Sequence, residues 1–301
     1  MKNMNKYENC LLCPRKCGIN RAAGQTGVCG VSSEIKVARA ALHYWEEPCI
    51  SGKKGSGAVF FSGCSLHCVF CQNREISDGK AGKVISKERL SDIFIELAGK
   101  GANNINLVTP GQYIPDIVWA VSDARRRGMK LPIVYNTSGY ENVTELKLLE
   151  GIVDVYLPDF KYMDSALSAK YSRAKDYPSV AKQALSEMVR QQPKVVIDDA
   201  TGLIQKGVIV RQLLLPGHVN DAKTILKYLH DTYQDSIYIS MMSQFTPIAL
   251  KDYPEINRTV TKREYERLVD YAIKIGITNA FIQEGDVAKD SFIPAFDCEG
   301  V

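Results

Sequence analysis

The sequence predicts an α/β chain: a complete or partial (β/α) barrel preceded by a cysteine-rich extension. Three observations lead there. From residue 58 onward, short apolar runs alternate with amphipathic helical segments, the pattern of a mostly parallel sheet with helical crossovers. Six or seven such units follow one another, which is the scale of a barrel. The first 57 residues differ in texture, being dense in Cys, Gly and Arg. The division is therefore a cysteine-rich extension over 1–57 and an α/β core over 58–301.

Taken in order, the extension offers one strand at Glu34–Ala41. The core opens with an apolar strand at 58–62, within Ala58-Val-Phe-Phe-Ser-Gly63. Ser86 then caps a helix whose Leu90, Ile93, Phe94, Leu97 and Ala98 share one face. A strand at 105–109 leads to a second stripe, Ile114, Ile117, Val118 and Val121, closed by Gly128. Strands follow at 132–136, 153–157, 208–214 and 236–241. Thr261 and Glu264 form a capping box ahead of Tyr265, Leu268, Val269, Ala272 and Ile273, and Gly276 ends that helix. A weaker strand is expected at 279–283.

At 301 residues the chain buries a substantial core. A composition 45% hydrophobic and 24% charged is that of a globular protein, without disordered or collagenous bias. The net charge of +4 is dispersed. Its one tight cluster, Arg125-Arg126-Arg127, falls at a predicted helix end, where cations complement the helix dipole. No nucleic-acid partner is expected. No stretch reaches membrane-spanning length, and the polar N-terminus lacks an apolar signal core. The expected location is cytoplasmic. There, nine cysteines indicate metal binding or catalysis, not disulfides.

Eight of those nine lie within residues 10–71. The central run, Cys64-Ser-Leu-His-Cys68-Val-Phe-Cys71, places three thiols in a C-x3-C-x2-C spacing directly after the first core strand. A tetrahedral zinc site takes four protein ligands. Three thiolates can instead hold three irons of a 4Fe–4S cubane, leaving the fourth open to an exogenous ligand. His67, between the cysteines, reads as a neighbour and not a ligand.

The polar residues of the core track the strand ends, where chemistry gathers in a parallel barrel. Thr109-Pro-Gly-Gln112, Asn136-Thr-Ser-Gly139 and Pro158-Asp-Phe-Lys161 follow successive strands. Arg211 lies in the next strand, ahead of Leu215-Pro-Gly217, and Ser243 and Gln244 follow the one after. Burying Asp159, Lys161 and Arg211 unpaired in a core would be expensive.

This succession resembles the radical S-adenosylmethionine (SAM) enzymes, and within them the pyruvate formate-lyase activating-enzyme branch. The resemblance rests on the three-cysteine run with Phe70 before its last member, and on Asn136-Thr-Ser-Gly139, Asp159-Phe-Lys161 and Arg211-Gln-Leu-Leu-Leu-Pro-Gly217. It spans roughly residues 56–285. It implies a partial (β/α)6-type TIM barrel in which Cys64, Cys68 and Cys71 ligate a 4Fe–4S cluster. SAM would chelate the open iron through its amino and carboxylate groups. Cleavage of the sulfonium bond would give a 5′-deoxyadenosyl radical that abstracts hydrogen from a substrate. Asp159 and Lys161 would line the SAM site, and Arg211 would pair with its carboxylate, which suits a planar guanidinium. Phe70 would pack near the adenine, with Asn136 and Ser138 toward the ribose or methionine. Many members carry a G-G-E-type segment after the second strand, holding the SAM amino group. Here that segment is Val108-Thr-Pro-Gly-Gln112, which has no carboxylate, so Thr109 or backbone carbonyls take its place.

Cys10, Cys13, Cys17 and Cys29 form a second, four-thiolate set. Four thiolates close a coordination sphere and suit either a structural zinc or an auxiliary iron–sulfur cluster. Cys49 reads as a spare, a buried structural thiol first and a substitute for one of the four second. His43, Glu46 and Glu47 read first as an ordinary loop with satisfied charges and second as general acid/base groups, and His218 as a residue near the site's mouth.

The function expected on this resemblance is activase-like formation of a glycyl radical on a partner enzyme. Radical modification of a peptide or small molecule is the alternative, and a non-catalytic iron–sulfur or zinc redox protein the third reading. The family implies flavodoxin or ferredoxin as electron donor.

Overall fold

The computed structural model describes residues 6–248, 250–283 and 294–301. They form a mixed α/β fold around a ten-stranded sheet. Seven strands run parallel in chain order: β2 (Ser56–Phe61), β4 (Ile105–Val108), β5 (Ile133–Thr137), β6 (Val155–Pro158), β8 (Ile204–Leu213), β9 (Tyr238–Met242) and β10 (Ala280–Ile282). All seven were expected, although β8 begins at Ile204 and not near 208. Before them, β1 (Ile35–His43) pairs antiparallel with β2, and β3 (Lys83–Ile85) pairs antiparallel with β1. The two-residue β7 (Val196–Ile197) adds to β8. Among the described residues no pairing joins β10 to the opposite edge, so the sheet is open and not a closed barrel.

The helices between parallel strands form as their sequences dictate. Ser86 accepts from the Arg89 amide and caps α3 (Lys87–Gly99), counted after two four-residue turns, α1 (Pro48–Ser51) and α2 (Arg74–Ser77). Next, α4 (Ile114–Arg126) buries Ile114, Ile117 and Val121. The basic cluster at its end is fully paired: Arg125 with Asp154, Arg126 with Asp123, Arg127 with Asp92 and Asp123. After α5 (Val143–Leu146) come α6 (Ser165–Ser172), α7 (Tyr177–Gln191) and α8 (Val219–Tyr233). The last, α9 (Lys262–Lys274), carries the full capping box of Thr261 and Glu264.

The extension is built into this frame. Register pairs His43 with Ser56, at the start of β2. The chain then turns beneath the sheet, where Cys49 and Ile50 pack with Val134, Val155, Leu157, Ile204 and Ile209. Cys49 is thus a buried core thiol remote from the other extension cysteines. From this floor Glu46 and Glu47 enter the interior, opposite the end where Cys64 leaves β2. Residues 294–301 lie along β1, with Ala40 donating to the Glu299 carbonyl at 2.8 Å and Cys298 to that of Ala38 at 2.9 Å.

Candidate active site

The interior holds a cavity of about 700 Å³. Cys64, Cys68, Cys71, Phe70, Thr109, Asn136, Ser138, Asp159, Lys161 and Arg211 all face it. Strand-end loops from across the chain therefore converge on one space.

The triad sits in a tight loop. The Leu66 amide approaches Cys64 Sγ at 3.4 Å, and Ser172 Oγ donates to Cys68 Sγ at 2.9 Å. His67 takes a left-handed φ of 50° and its Nε2 meets the Val28 carbonyl at 2.6 Å, so it points away from the triad. Burial, reinforced by the neighbouring thiols, pushes Cys71 up to about 12 and raises Cys64. Thiols held this way ionise when a cation compensates them. The donor set fits a cluster: three sulfurs on one cavity wall, no fourth protein ligand in the loop, and open volume beyond.

Asp159 and Lys161 pair at 2.5 Å. Burial alone would lower the Lys161 ammonium, but Asp159 and the Cys68 sulfur outweigh it and hold the ammonium charged. The Tyr177 hydroxyl ties this loop to the preceding one: it donates to the Ser138 carbonyl at 2.8 Å and accepts from the Lys161 amide at 2.9 Å. Gly139 is required between them. Its φ is +75°, and a Cβ there would lie 2.3 Å from the Asp159 carbonyl oxygen. Thr109, at φ 56°, donates its amide to the Asn136 carbonyl at 2.9 Å. Phe70 packs on Phe245 at 5.6 Å.

Arg211 reaches the cavity already paired. Its Nε and Nη2 meet Glu47 Oε1 and Oε2 at 2.8 and 2.6 Å, and Nη2 also meets Glu46. Against burial, the two carboxylates keep the guanidinium charged, and Arg211 in turn holds the Glu47 carboxyl below its ordinary range. Glu46 and Glu47 have side chains only 8% and 5% exposed. This corrects the expectation of an ordinary loop: both belong to the cavity. The only local signal was an acidic pair beside Pro48, and its partner lies in β8. His43 also lines the cavity, and burial lowers its pKa. His218 does not line it; it meets the Tyr171 hydroxyl at 3.1 Å. Gln244 lines it and Ser243 does not.

Cys10, Cys13, Cys17 and Cys29 gather at a second, smaller hollow of about 30 Å³ that shares Cys64, Thr109, Thr137 and Ser138 with the first. Burial pushes Cys13 up to about 12 and raises Cys29, with Arg21 opposing at Cys29. Arg21 is an organiser that sequence reasoning missed. Only 1% exposed, it donates to the carbonyls of Val31, Ser32 and Gln112 and approaches Cys10 Sγ at 3.8 Å. Arg15 clamps this module to the triad loop through the carbonyls of Ser65, Ser172 and Arg173. Glu141 borders the same hollow, bonded to Thr137 and raised by burial to about 7. The four thiols border one hollow, but among the described residues no three His, Cys, Asp or Glu side chains are drawn together closely enough to hold a metal ion.

Comparison with known proteins adds four findings. Residues 51–183 match a family described as a 4Fe-4S single cluster domain. The uncharacterized protein MJ0674 of Methanocaldococcus jannaschii is 28% identical over 280 residues, covering 91% of this chain and 77% of its own. Streptococcus suis SuiB, in a crystal structure bound to S-adenosylmethionine, shares the fold with a TM-score of 0.50 at 12% identity, over 74% of this chain. SuiB bound to its precursor peptide SuiA aligns with a TM-score of 0.48 at 13% identity, over 72% of this chain and 46% of its own. The chain spans about half the length of the SuiB chains it matches, 48% of the SAM-bound one. Among the described residues no helix is long and apolar enough to cross a membrane.

Proposed function

We propose that this chain is a radical SAM enzyme on a partial (β/α)6-type barrel, activase-like in placing a glycyl radical on a partner enzyme. The observation that carries the first part is the convergence of Cys64, Cys68 and Cys71 with the Asp159–Lys161 pair and Arg211 on one 700 Å³ cavity. The 4Fe-4S family match over residues 51–183 and the fold shared with a SAM-bound protein support the same reading.

A bound cluster, once reduced by the electron donor, would supply the one electron that splits the C–S bond of SAM into methionine and a 5′-deoxyadenosyl radical able to take a hydrogen atom from a substrate. The chain's own residues do the rest. Cys64, Cys68 and Cys71 would hold the cluster by three thiolates, which leaves one iron without a protein ligand. Lys161 and Arg211 offer fixed cations for the SAM carboxylate, Asp159 holds Lys161 in place, and Phe70 and Phe245 give an apolar wall for the adenine. Asn136, Ser138 and Thr109 supply polar contacts to the ribose and methionine portions. The extension over 1–57 adds a closed site at Cys10, Cys13, Cys17 and Cys29 for zinc or an auxiliary cluster. Flavodoxin or ferredoxin is the proposed electron donor. An open interior suits a substrate loop inserted by a partner protein.

Anaerobically reconstituted protein given SAM and dithionite should release 5′-deoxyadenosine, and Cys64→Ala, Cys68→Ala or Cys71→Ala should abolish it. Unchanged turnover in any of the three would sink the mechanism. The activase step is tested by capturing partners from anaerobic extract and looking for a glycyl radical signal by electron paramagnetic resonance. A radical found instead on a peptide or small molecule would replace that step and keep the enzyme class.

A further inference from the structure

The triad loop carries a group of cations on the side away from the cavity. Arg15 reaches across it, donating to the carbonyls of Ser65, Ser172 and Arg173. Lys16 follows Arg15 in the chain, and Arg173 and Lys175 follow α6; all three are exposed. Among the described residues none of these three side chains makes an ion pair. Lys170, on α6 itself, is by contrast balanced by Glu255 at 2.6 Å. Among the described residues bonded into the group, the one carboxylate is Asp176. It accepts from the hydroxyl of Tyr140 at 2.8 Å, and that ring lies under Arg15.

Backbone geometry singles out two of the cations. Lys16 and Arg173 take left-handed φ values of 44° and 50°, Arg173 at the C-cap of α6. Glycine or asparagine is favoured at such positions, and residues kept there against that preference point to function. A helix end favours a cation, but any position in the last turn would serve, and Lys16 ends no helix. The surface is also close to the triad in bonds. Arg173 adjoins Ser172, whose hydroxyl donates to Cys68 Sγ at 2.9 Å. Arg15 holds the carbonyl of Ser65, next to Cys64.

We propose that Lys16, Arg173 and Lys175, with Arg15 beside them, form the docking surface for a small acidic electron-carrier protein. The inference rests on the radical SAM reading and gives its electron donor a place on this chain. An acidic partner supplies the counter-charge that the surface lacks, and complementary fields speed and orient the encounter. One electron passes from the carrier's reduced cofactor, which is oxidised by one, to the oxidised cluster, which is reduced by one. No bond forms or breaks. Ser172 and its hydrogen bond to Cys68 give that electron a short path. None of the four cations lines the cavity, so a docked carrier leaves the substrate's space free.

The test is equilibrium binding of flavodoxin, used as the acidic carrier, to anaerobically reconstituted holoprotein, measured by calorimetry at low salt. Arg173→Glu/Lys175→Glu should weaken binding by roughly tenfold or more, and Arg173→Gln/Lys175→Gln by less. Lys100→Glu/Lys130→Glu makes the same change in net charge at exposed positions just after α3 and α4. It should stay within about twofold of wild type. The difference should collapse in about 0.5 M salt. Release of 5′-deoxyadenosine driven by reduced flavodoxin should fall in step with binding. Driven by dithionite, which needs no docking, it should match wild type at equal iron content. Unchanged binding in Arg173→Glu/Lys175→Glu, or equal weakening in the control pair, would overturn the proposal. So would a wild type that does not bind flavodoxin. Equal loss with dithionite would overturn it too, since the patch would then only support the triad loop. A wild type that releases no 5′-deoxyadenosine with dithionite would overturn the radical SAM reading itself, while the binding measurement would still decide the docking surface.

Discussion

The amide of Cys64 donates to the carbonyl oxygen of Cys29 at 3.2 Å. One peptide hydrogen bond therefore joins the central triad to the extension's cysteine set. Gly63 makes the approach possible: at φ +92°, it would carry a Cβ only 2.7 Å from that same carbonyl.

Gly63→Ala should disturb both proposed metal sites together. A side chain at positive φ costs about 1–3 kcal/mol, and here it also pushes on the Cys29 carbonyl. Iron, sulfide and zinc analysis of anaerobic protein should show depletion at both sites. A Cys10/Cys13/Cys17/Cys29→Ala variant resolves the identity of the second: loss of about four irons marks a second cubane, loss of about one zinc a structural ion.

Ser172→Ala removes the hydroxyl that donates to Cys68 Sγ at 2.9 Å. Hydrogen bonds to cluster sulfurs raise the reduction potential. The variant should keep its iron and show a midpoint potential more negative by tens of millivolts in a redox titration. A potential equal to wild type would show that the bond does not tune the cluster.

Glu141 predicts a pH dependence. Burial raises its carboxyl from the ordinary 4.5 to about 7, so the folded protein binds this proton more tightly than the unfolded chain. The group's contribution is most favourable below about pH 4.5, declines as pH rises to about 7, and is flat beyond. The total change is on the order of a few kcal/mol. Urea denaturation at a series of pH values should show this decline in wild type, and Glu141→Gln should flatten it. The same slope in both would mean another group is responsible.

Gly139→Ala should cost stability and SAM-site geometry at once. The new Cβ meets the Asp159 carbonyl oxygen at 2.3 Å from a residue at φ +75°. Loss of about 1–3 kcal/mol is expected, with a lower thermal midpoint and weakened SAM binding. A variant that keeps wild-type values for both would show that the two loops can separate freely.

The parallel strands and the loops after them were legible because each is a local pattern. An apolar run announces β5, and Asn136-Thr-Ser-Gly139 announces a turn, whatever lies elsewhere in the chain. Glu46 and Glu47 were not legible. An acidic pair beside a proline looks solvated until a cation from β8 is placed against it, and that placement is a property of the folded sheet. Arg21 escaped notice for the same reason: its carbonyl partners Val31, Ser32 and Gln112 surround it only after the extension docks. The edge strands β3 and β7, of three and two residues, are too short for alternation to register. Openness of the sheet follows from which edges pair, and no single segment encodes that.

The long reach of the extension's contacts sets an order of assembly. Arg15 bonds to Arg173 across 158 residues, and Glu47 bonds to Arg211 across 164. Contacts so distant in sequence form only after the intervening chain has been ordered. On the ribosome, where N-terminal segments emerge before C-terminal ones, the extension is therefore made before the partners it needs. Glu46 and Glu47 wait in an unfinished state until Arg211 of β8 has emerged, and the four extension cysteines until the segment reaching Arg173 has; during that wait their thiols are open to metal and to oxidant alike.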